Sequence, residues 1–318
     1  MRVLITGSAG FIGFHTAKTL LNRGDKVIGL DSLNNYYDVS LKNKRNKVLK
    51  NNTNYNFYKA NIADKKKLFS IIEKEKPEKI LNLAAQAGVR YSLENPFIYE
   101  ESNLKGFLNI LEGCRQFKIN DLVYASSSSV YGVNAKIPFS EIDRVDQPIS
   151  LYAATKKSNE EMAFVYHHLY KINVTGLRFF TVYGPYGRPD MALFSFTKNI
   201  LENKEIQLFN YGKMKRDFTY IDDIVKGIIS ALDTPFPCEV FNLARGESQE
   251  LSNFVKEIEK NCGKKAKTKL MPMQQGDVLI TSGNISKAKK MLGYTPKTNI
   301  KKGIKQFVEW YKKYYNKS

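Results

Sequence analysis

Tyr152 and Lys156 lie four residues apart in a segment, residues 150–170, that reads as a helix, so both side chains project from one face. A tyrosine titrates near ~10 and is a poor base at neutral pH. A neighbouring ammonium favours the phenolate and brings the phenol toward use as a general base. The spacing alone is common, and its bland alternative is a surface helix pair. The run Ser126-Ser127-Ser128-Ser129 changes that balance. It follows a strand-like segment, residues 121–125, which places hydroxyls at a strand's C-terminal end, where open α/β sheets bind ligands. A hydroxyl there can hydrogen-bond a reacting oxygen beside the tyrosine. Without the other features the run would read as a polar turn.

A second constellation supplies context. Gly7-Ser8-Ala9-Gly10-Phe11-Ile12-Gly13 spells G-x-x-G-x-x-G after one predicted strand and at the start of a predicted helix. Glycines let the chain turn tightly and let a pyrophosphate approach the backbone at the helix's positive end. Asp31 ends the next predicted strand, where its carboxylate can accept hydrogen bonds from an adenosine ribose and would repel a 2′-phosphate. The expected cofactor is therefore NAD rather than NADP. A cationic nicotinamide would favour the phenolate of Tyr152 further.

These groups need a scaffold, and the first half of the chain provides one. Strand-like segments at Arg2–Thr6, 26–30, 56–60, Lys79–Asn82, 121–125 and 173–178 alternate with helix-like ones at Phe11–Asn22, 65–74, 96–117 and 150–170. Repeated βα units imply a Rossmann-type, doubly wound parallel sheet with helices on both faces. After about residue 178, glycines and prolines punctuate loops, and helices are expected at 222–232, 252–261, Ser286–Leu292 and 300–314. The expected organisation is a dinucleotide-binding domain over residues 1–178, joined by returning segments near 217–243, with a smaller α/β substrate lobe over 179–318.

Composition narrows the function classes. With 318 residues and 42% hydrophobic side chains, the chain can bury one large core or two modest ones. The first apolar run is broken by glycines, so neither a leader nor a membrane span is expected, and the default location is the cytoplasm. Three scattered cysteines and three histidines give no zinc spacing and no disulfide framework; no metal is expected. The net charge of +19 is spread along the chain. It reads as solvated surface with some steering of an anionic substrate, not as a nucleic-acid interface.

Gly7–Gly13, Asp31, the 83–85 segment, Ser126–Gly132, Tyr152-x-x-x-Lys156 and the segment from Arg178 resemble the extended short-chain dehydrogenases/reductases over almost the whole chain. Three longer stretches, residues 84–93, 177–192 and 215–224, are similar to the UDP-glucuronate 4-epimerase group in particular. That resemblance implies Ser127, Tyr152 and Lys156 as the catalytic set, with Lys156 also holding the nicotinamide ribose. It implies Gly7, Gly10, Phe11, Ile12, Gly13, Asp31, Asn61, Ile62 and Ala84 at the NAD. It implies Arg90, Ser128, Ser129, Thr181, Arg188, Arg216 and Asp277 at a UDP-sugar: the serines, Thr181 and Arg188 around the sugar and its carboxylate, Arg216 on the diphosphate, and Asp277 near the uridine. Helices near 95–117 and 150–170 resemble those that form a four-helix homodimer interface.

The implied reaction is a 4-epimerisation. Tyr152 takes the proton of the sugar 4-hydroxyl while C4 gives hydride to NAD; the 4-keto sugar turns over and hydride returns to its other face. The sequence departs from the group at two cofactor positions. Asn61 stands where an aspartate usually contacts adenine, and Ser32 follows Asp31 in place of a frequent asparagine. Dehydratases and decarboxylases of the same fold typically carry an acid beside the catalytic Ser/Thr, whereas Ser128 and Ser129 follow Ser127 here. Thr181 stands where other 4-epimerases usually have asparagine. Two alternatives stay open: a 4-epimerase of UDP-glucose or UDP-N-acetylglucosamine, and a non-catalytic NAD- or RNA-binding regulator.

Overall fold

The protein is described here by a computed structural model covering residues 1–133, 136–274 and 276–317. Its strands are β1 (Arg2–Thr6), β2 (Lys26–Asp31), β3 (Tyr55–Lys59), β4 (Lys79–Asn82), β5 (Asp121–Ser127), β6 (Asn173–Phe179), β7 (Thr181–Tyr183), β8 (Glu205–Leu208), β9 (Lys215–Tyr220), β10 (Cys238–Leu243), β11 (Ser248–Glu250) and β12 (Lys267–Leu270). Its helices are α1 (Phe11–Asn22), α2 (Val39–Lys50), α3 (Lys65–Glu75), α4 (Tyr91–Glu94), α5 (Phe97–Tyr99), α6 (Gly106–Gln116), α7 (Leu151–Tyr170), α8 (Ala192–Leu201), α9 (Ile221–Asp233), α10 (Leu251–Cys262), α11 (Ser286–Leu292) and α12 (Ile300–Tyr315).

Seven strands pair in parallel in the order β3-β2-β1-β4-β5-β6-β10. This is the expected doubly wound sheet. Apolar runs such as Val3-Leu4-Ile5 sit at full burial because helices cover both faces. One core packs Phe14, Leu20 and Leu21 of α1 with α9 and with the C-terminal helices; the opposite core lies under α3, α6 and α7. Strand order reverses between β1 and β4, which opens a crevice at the C-terminal edge. Gly7, Asp31, Asn61, Ala84 and Ser127 all fall on that edge, at or just after the ends of β1 to β5.

The remaining strands form a three-stranded sheet, β11-β9-β7, and a β12-β8 pair. They lie in the second half of the chain, with their core continuous with that under α1 and α9. The chain crosses back through α9 and β10, and β10 extends the large sheet beyond β6.

Three local differences from the sequence reading have physical causes. The helix expected over 96–117 is interrupted by a π-helical turn, Glu100–Lys105, between α5 and α6. That turn buries Asn103 against α7, where it is fully hydrogen-bonded. α2 was not anticipated because its sequence is lysine-rich with little apolar periodicity. It is held instead by Arg45, fully buried, which donates to the carbonyls of Ala9 at 3.0 Å and Tyr186 at 2.6 Å. The strand expected over 121–125 runs two residues further, so Ser126 and Ser127 belong to β5, and Ser128 opens a short 3₁₀ turn.

His15 ties α1 to the segment that follows β7. Its ring nitrogen Nε2 stands 2.8 Å from the Pro185 carbonyl, with Phe11, Phe14 and Tyr186 packed around the ring. Burial, opposed by the Pro185 bond, pushes its pKa down to about 4. A histidine whose folded pKa lies below its unfolded value of ~6.5 stabilises fully above that value. That contribution is then lost as pH falls toward 4. Melting temperature should therefore drop between pH 6.5 and 4 more steeply in the native protein than in His15→Gln, as followed by thermal scans across that window. Among the described residues, no helix is long and apolar enough to cross a membrane.

Candidate active site

The glycine loop is shaped for a close ligand. Gly7 has φ +70°, and a Cβ there would stand 2.9 Å from the Ala84 nitrogen. A Cβ on Gly13 would meet the Gly7 carbonyl oxygen at 2.1 Å, so only glycine lets α1 start this close to the loop. α1 begins after Gly10 with no side chain capping it, and Phe11 and Ile12 form its first turn. Its N–H groups and dipole face the crevice as an anion site.

Asp31 does two things at once. Its Oδ2 accepts from the Ala9 N–H at 3.1 Å and its Oδ1 from the Leu33 N–H at 2.8 Å, which ties the loop to the end of β2. Each carboxylate oxygen keeps a further lone pair for a ribose hydroxyl. Ala84 is anchored through its N–H to Thr6 Oγ1 at 3.1 Å. Asn61 caps the turn after β3, accepting from the Ala63 N–H at 3.0 Å and reaching Glu101 at 3.4 Å. Ile62 beside it is buried.

The reactive cluster sits at the mouth of β5 and β6. Ser150 caps α7, its hydroxyl accepting from the Ala153 N–H at 3.1 Å, so Tyr152 falls in the first turn and Lys156 one turn further on. Burial raises the Tyr152 pKa, while the neighbouring Ser127 hydroxyl and the positive charge of Arg188 pull it down. Lys156 is 2% exposed; its ammonium donates to the Ala125 carbonyl at 3.0 Å, and burial pushes its pKa down to about 8. Ser127 Oγ also accepts from the Ser129 N–H at 3.1 Å, which fixes its rotamer. Ser128 and Ser129 are partly exposed beside it.

Thr181 at the start of β7 and Arg188 share a small cavity with Phe11. Arg188 is paired with Asp190 and stacked over Tyr36. A second cationic group lies further along the cleft. Arg90 Nη2 meets Asp277 at 3.2 Å and its guanidinium covers the Phe209 ring at 4.4 Å. Arg216 on β9 donates to the carbonyls of Lys215 and Leu279, and lies close enough to Asp277 and Arg90 to feel both charges. The buried Asp217 ties the end of the loop carrying Asp277 to the turn after β10, accepting N–H groups of Arg245 and Gly246 at 2.7 and 3.0 Å and of Gly283 at 3.2 Å. Burial outweighs these bonds and pushes its carboxyl up to about 6.

The residues singled out from sequence thus fall into three groups: Gly7–Gly13 with Asp31, Ala84, Asn61 and Ile62; Ser127, Tyr152 and Lys156 with Ser128, Ser129, Thr181 and Arg188; and Arg90, Arg216 and Asp277. Sequence reasoning missed Asn103. Its Oδ1 accepts from the Gln86 N–H at 2.8 Å and its Nδ2 donates to Thr155 Oγ1 at 3.0 Å, bracing α7 beside Tyr152. It also missed Tyr99, whose buried ring stands 6.2 Å from that of Tyr152. Neither residue carries a local motif.

A family model described as GDP-mannose 4,6 dehydratase matches residues 4–307. UDP-glucuronate 4-epimerase 4 of Arabidopsis thaliana is 49% identical, over 99% of this chain and 76% of the relative. Among solved structures, UDP-glucuronic acid 4-epimerase from Bacillus cereus, crystallised with UDP-glucuronic acid and NAD, superposes with a TM-score of 0.92 at 34% identity, covering 99% of this chain and 100% of that one. UDP-glucose 4-epimerase from Thermotoga maritima, crystallised with UDP-glucose, gives 0.90 at 30% identity over the same shares. With a match running from β1 into α12, this chain belongs to the GDP-mannose 4,6 dehydratase family of extended short-chain dehydrogenases/reductases.

Proposed function

We propose that this chain is an NAD-dependent 4-epimerase that interconverts UDP-glucuronate and UDP-galacturonate. The observation that carries the reading is the Tyr152 phenol, flanked by the Ser127 hydroxyl and within the field of Arg188. It puts a proton acceptor, a hydroxyl partner for the reacting oxygen and a cation suited to a sugar carboxylate in one place. The serines that follow Ser127 supply no acid for dehydration. The 49% identical relative named for UDP-glucuronate supports the uronate assignment.

The residues present fit NAD. The loop has no room for a side chain at Gly7, Gly10 or Gly13, the start of α1 lacks a capping side chain, and Asp31 retains acceptor capacity. NAD, when bound, supplies a reversible hydride acceptor. Tyr152 takes and returns the proton of the 4-hydroxyl, Ser127 orients that oxygen, and Lys156 keeps a positive charge beneath the site. Arg216, with Arg90 and Asp277, grips the nucleotide while the sugar ring stays free to turn over. Binding energy concentrated away from the reacting carbon suits a ring that must present both faces. Residues 1–178 with the returning 217–243 segment form the NAD-binding part, and the rest of 179–318 binds the UDP-sugar. α6 and α7 expose Leu108, Phe164, Val165 and Leu169, an apolar face that a second copy would cover in a two-fold dimer.

Incubation with UDP-glucuronate, UDP-glucose and UDP-N-acetylglucosamine, with product stereochemistry read by NMR, tests the reading. UDP-galacturonate should form fastest. Turnover confined to the neutral sugars would move the chain to the hexose 4-epimerases. No turnover of any of the three, together with salt-sensitive RNA binding, would make it a binding module.

A further inference from the structure

Arg188 is held from one side. Its Nε donates to Asp190 Oδ1 at 3.0 Å and its Nη2 to Asp190 Oδ2 at 2.5 Å, a two-point fork on a carboxylate two residues away. The Tyr36 hydroxyl donates to the same Oδ2 at 3.3 Å, and the guanidinium carbon lies 5.8 Å from the Tyr36 ring centroid. Nη2 also reaches the Ala87 carbonyl at 3.4 Å. The three segments involved follow β2, β4 and β7. Among the described residues Nη1 has no hydrogen-bond partner.

An unrestrained arginine beside a UDP-sugar has two anions to choose from, the diphosphate and the sugar carboxylate. Its long stem could reach either. A guanidinium fixed along its Nε–Nη2 edge offers its remaining donors in one direction only. The neighbouring carboxylate also offsets its charge, so an anion is attracted chiefly when it can meet Nη1 directly.

We propose that Asp190 is a positioning residue for substrate specificity. It locks Arg188, with Tyr36 as a brace, so that Nη1 alone meets the substrate's carboxylate and sugars lacking that group gain nothing from the arginine. The proposal rests on the uronate reading above and names the device that enforces it.

The test uses the purified holoenzyme. In Asp190→Asn, kcat/KM for UDP-glucuronate should fall roughly 10- to 100-fold, the weight of a hydrogen bond to a charged group. Most of the loss should appear in KM. Affinity for UDP and for UDP-glucose, measured by calorimetry, should stay within about threefold, because neither presents a carboxylate to Arg188. Tyr36→Phe, which leaves the fork intact, should shift KM for UDP-glucuronate in the same direction by less. Equal losses for all three ligands would make Asp190 merely structural and overturn the proposal. A lower KM for UDP-glucuronate would also overturn it, since Asp190 would then be competing with the substrate for Arg188. Wild-type enzyme inert toward UDP-glucuronate would defeat the uronate reading itself, a result distinct from an active wild type that Asp190→Asn leaves unchanged.

Discussion

Tyr152→Phe should lower kcat by roughly 10²- to 10⁴-fold, the range a positioned general base contributes, while KM for the UDP-sugar and NAD content stay near wild type. The substitution removes one oxygen and leaves the ring. Its edge packing against Tyr99 survives, at a centroid distance of 6.2 Å. α7 keeps its Ser150 cap, and Lys156 keeps its bond to the Ala125 carbonyl. The loss should therefore fall on the proton-transfer step. Steady-state kinetics with UDP-glucuronate, beside a count of bound NAD per chain, separates the possibilities. Near-normal turnover would remove the phenol from the chemistry, whereas loss of NAD together with activity would indicate a collapsed site.

The second large effect concerns stability. Arg178 on β6 grips Glu160 on α7 with two bonds of 2.8 Å, both side chains almost wholly buried. The Ser126 hydroxyl donates to the same Glu160 Oε1 at 2.6 Å, and Arg178 donates to the Tyr131 hydroxyl at 3.0 Å. Glu160→Ala leaves the arginine charged without its counter-ion, which costs about 3–5 kcal/mol for a buried pair broken on one side. For a chain of this size that lowers the melting temperature by on the order of 10 °C. Replacing both partners, as Glu160→Leu with Arg178→Met, should recover most of the loss, because the desolvation of two charges disappears with them. Calorimetric melting of the single and double variants decides it; a double variant as unstable as the single would mean that lost packing, not the stranded charge, sets the cost.

Much of the scaffold was legible in the sequence because the large sheet is built from local signals. Val3-Leu4-Ile5 followed by three spaced glycines fixes a strand, a turn and a helix within thirteen residues, and the later βα units repeat that logic. Four helices of the second half, α9 to α12, were readable through their local pattern, whereas α8 was not anticipated. The short strands β7, β8, β11 and β12 were not. They have three or four residues each, and their pairing depends on partners far away in the chain. The site shows the same division. Ser127, Tyr152 and Lys156 could be singled out because their spacing is tied to one strand and one helix. Asn103 and Tyr36 could not, because each acts through residues brought to it by the fold: Asn103 through Gln86 and Thr155, Tyr36 through a carboxylate 154 positions later. Asp190 lies only two residues from Arg188, but no local motif marks the pair as a fork.

The seventh strand has a consequence for how the polypeptide can be cut or made. β10 satisfies the outer backbone groups of β6, register by register from Cys238 against Val174 to Leu243 against Phe179. A fragment ending just after β6 would leave that border raw, ready to recruit a stranger's backbone. During synthesis, likewise, the sheet stays unfinished until the ribosome has released residue 243, some sixty residues after β6. The large sheet draws its last strand from beyond β7 and β9, so no single snip between β6 and β10 leaves it whole.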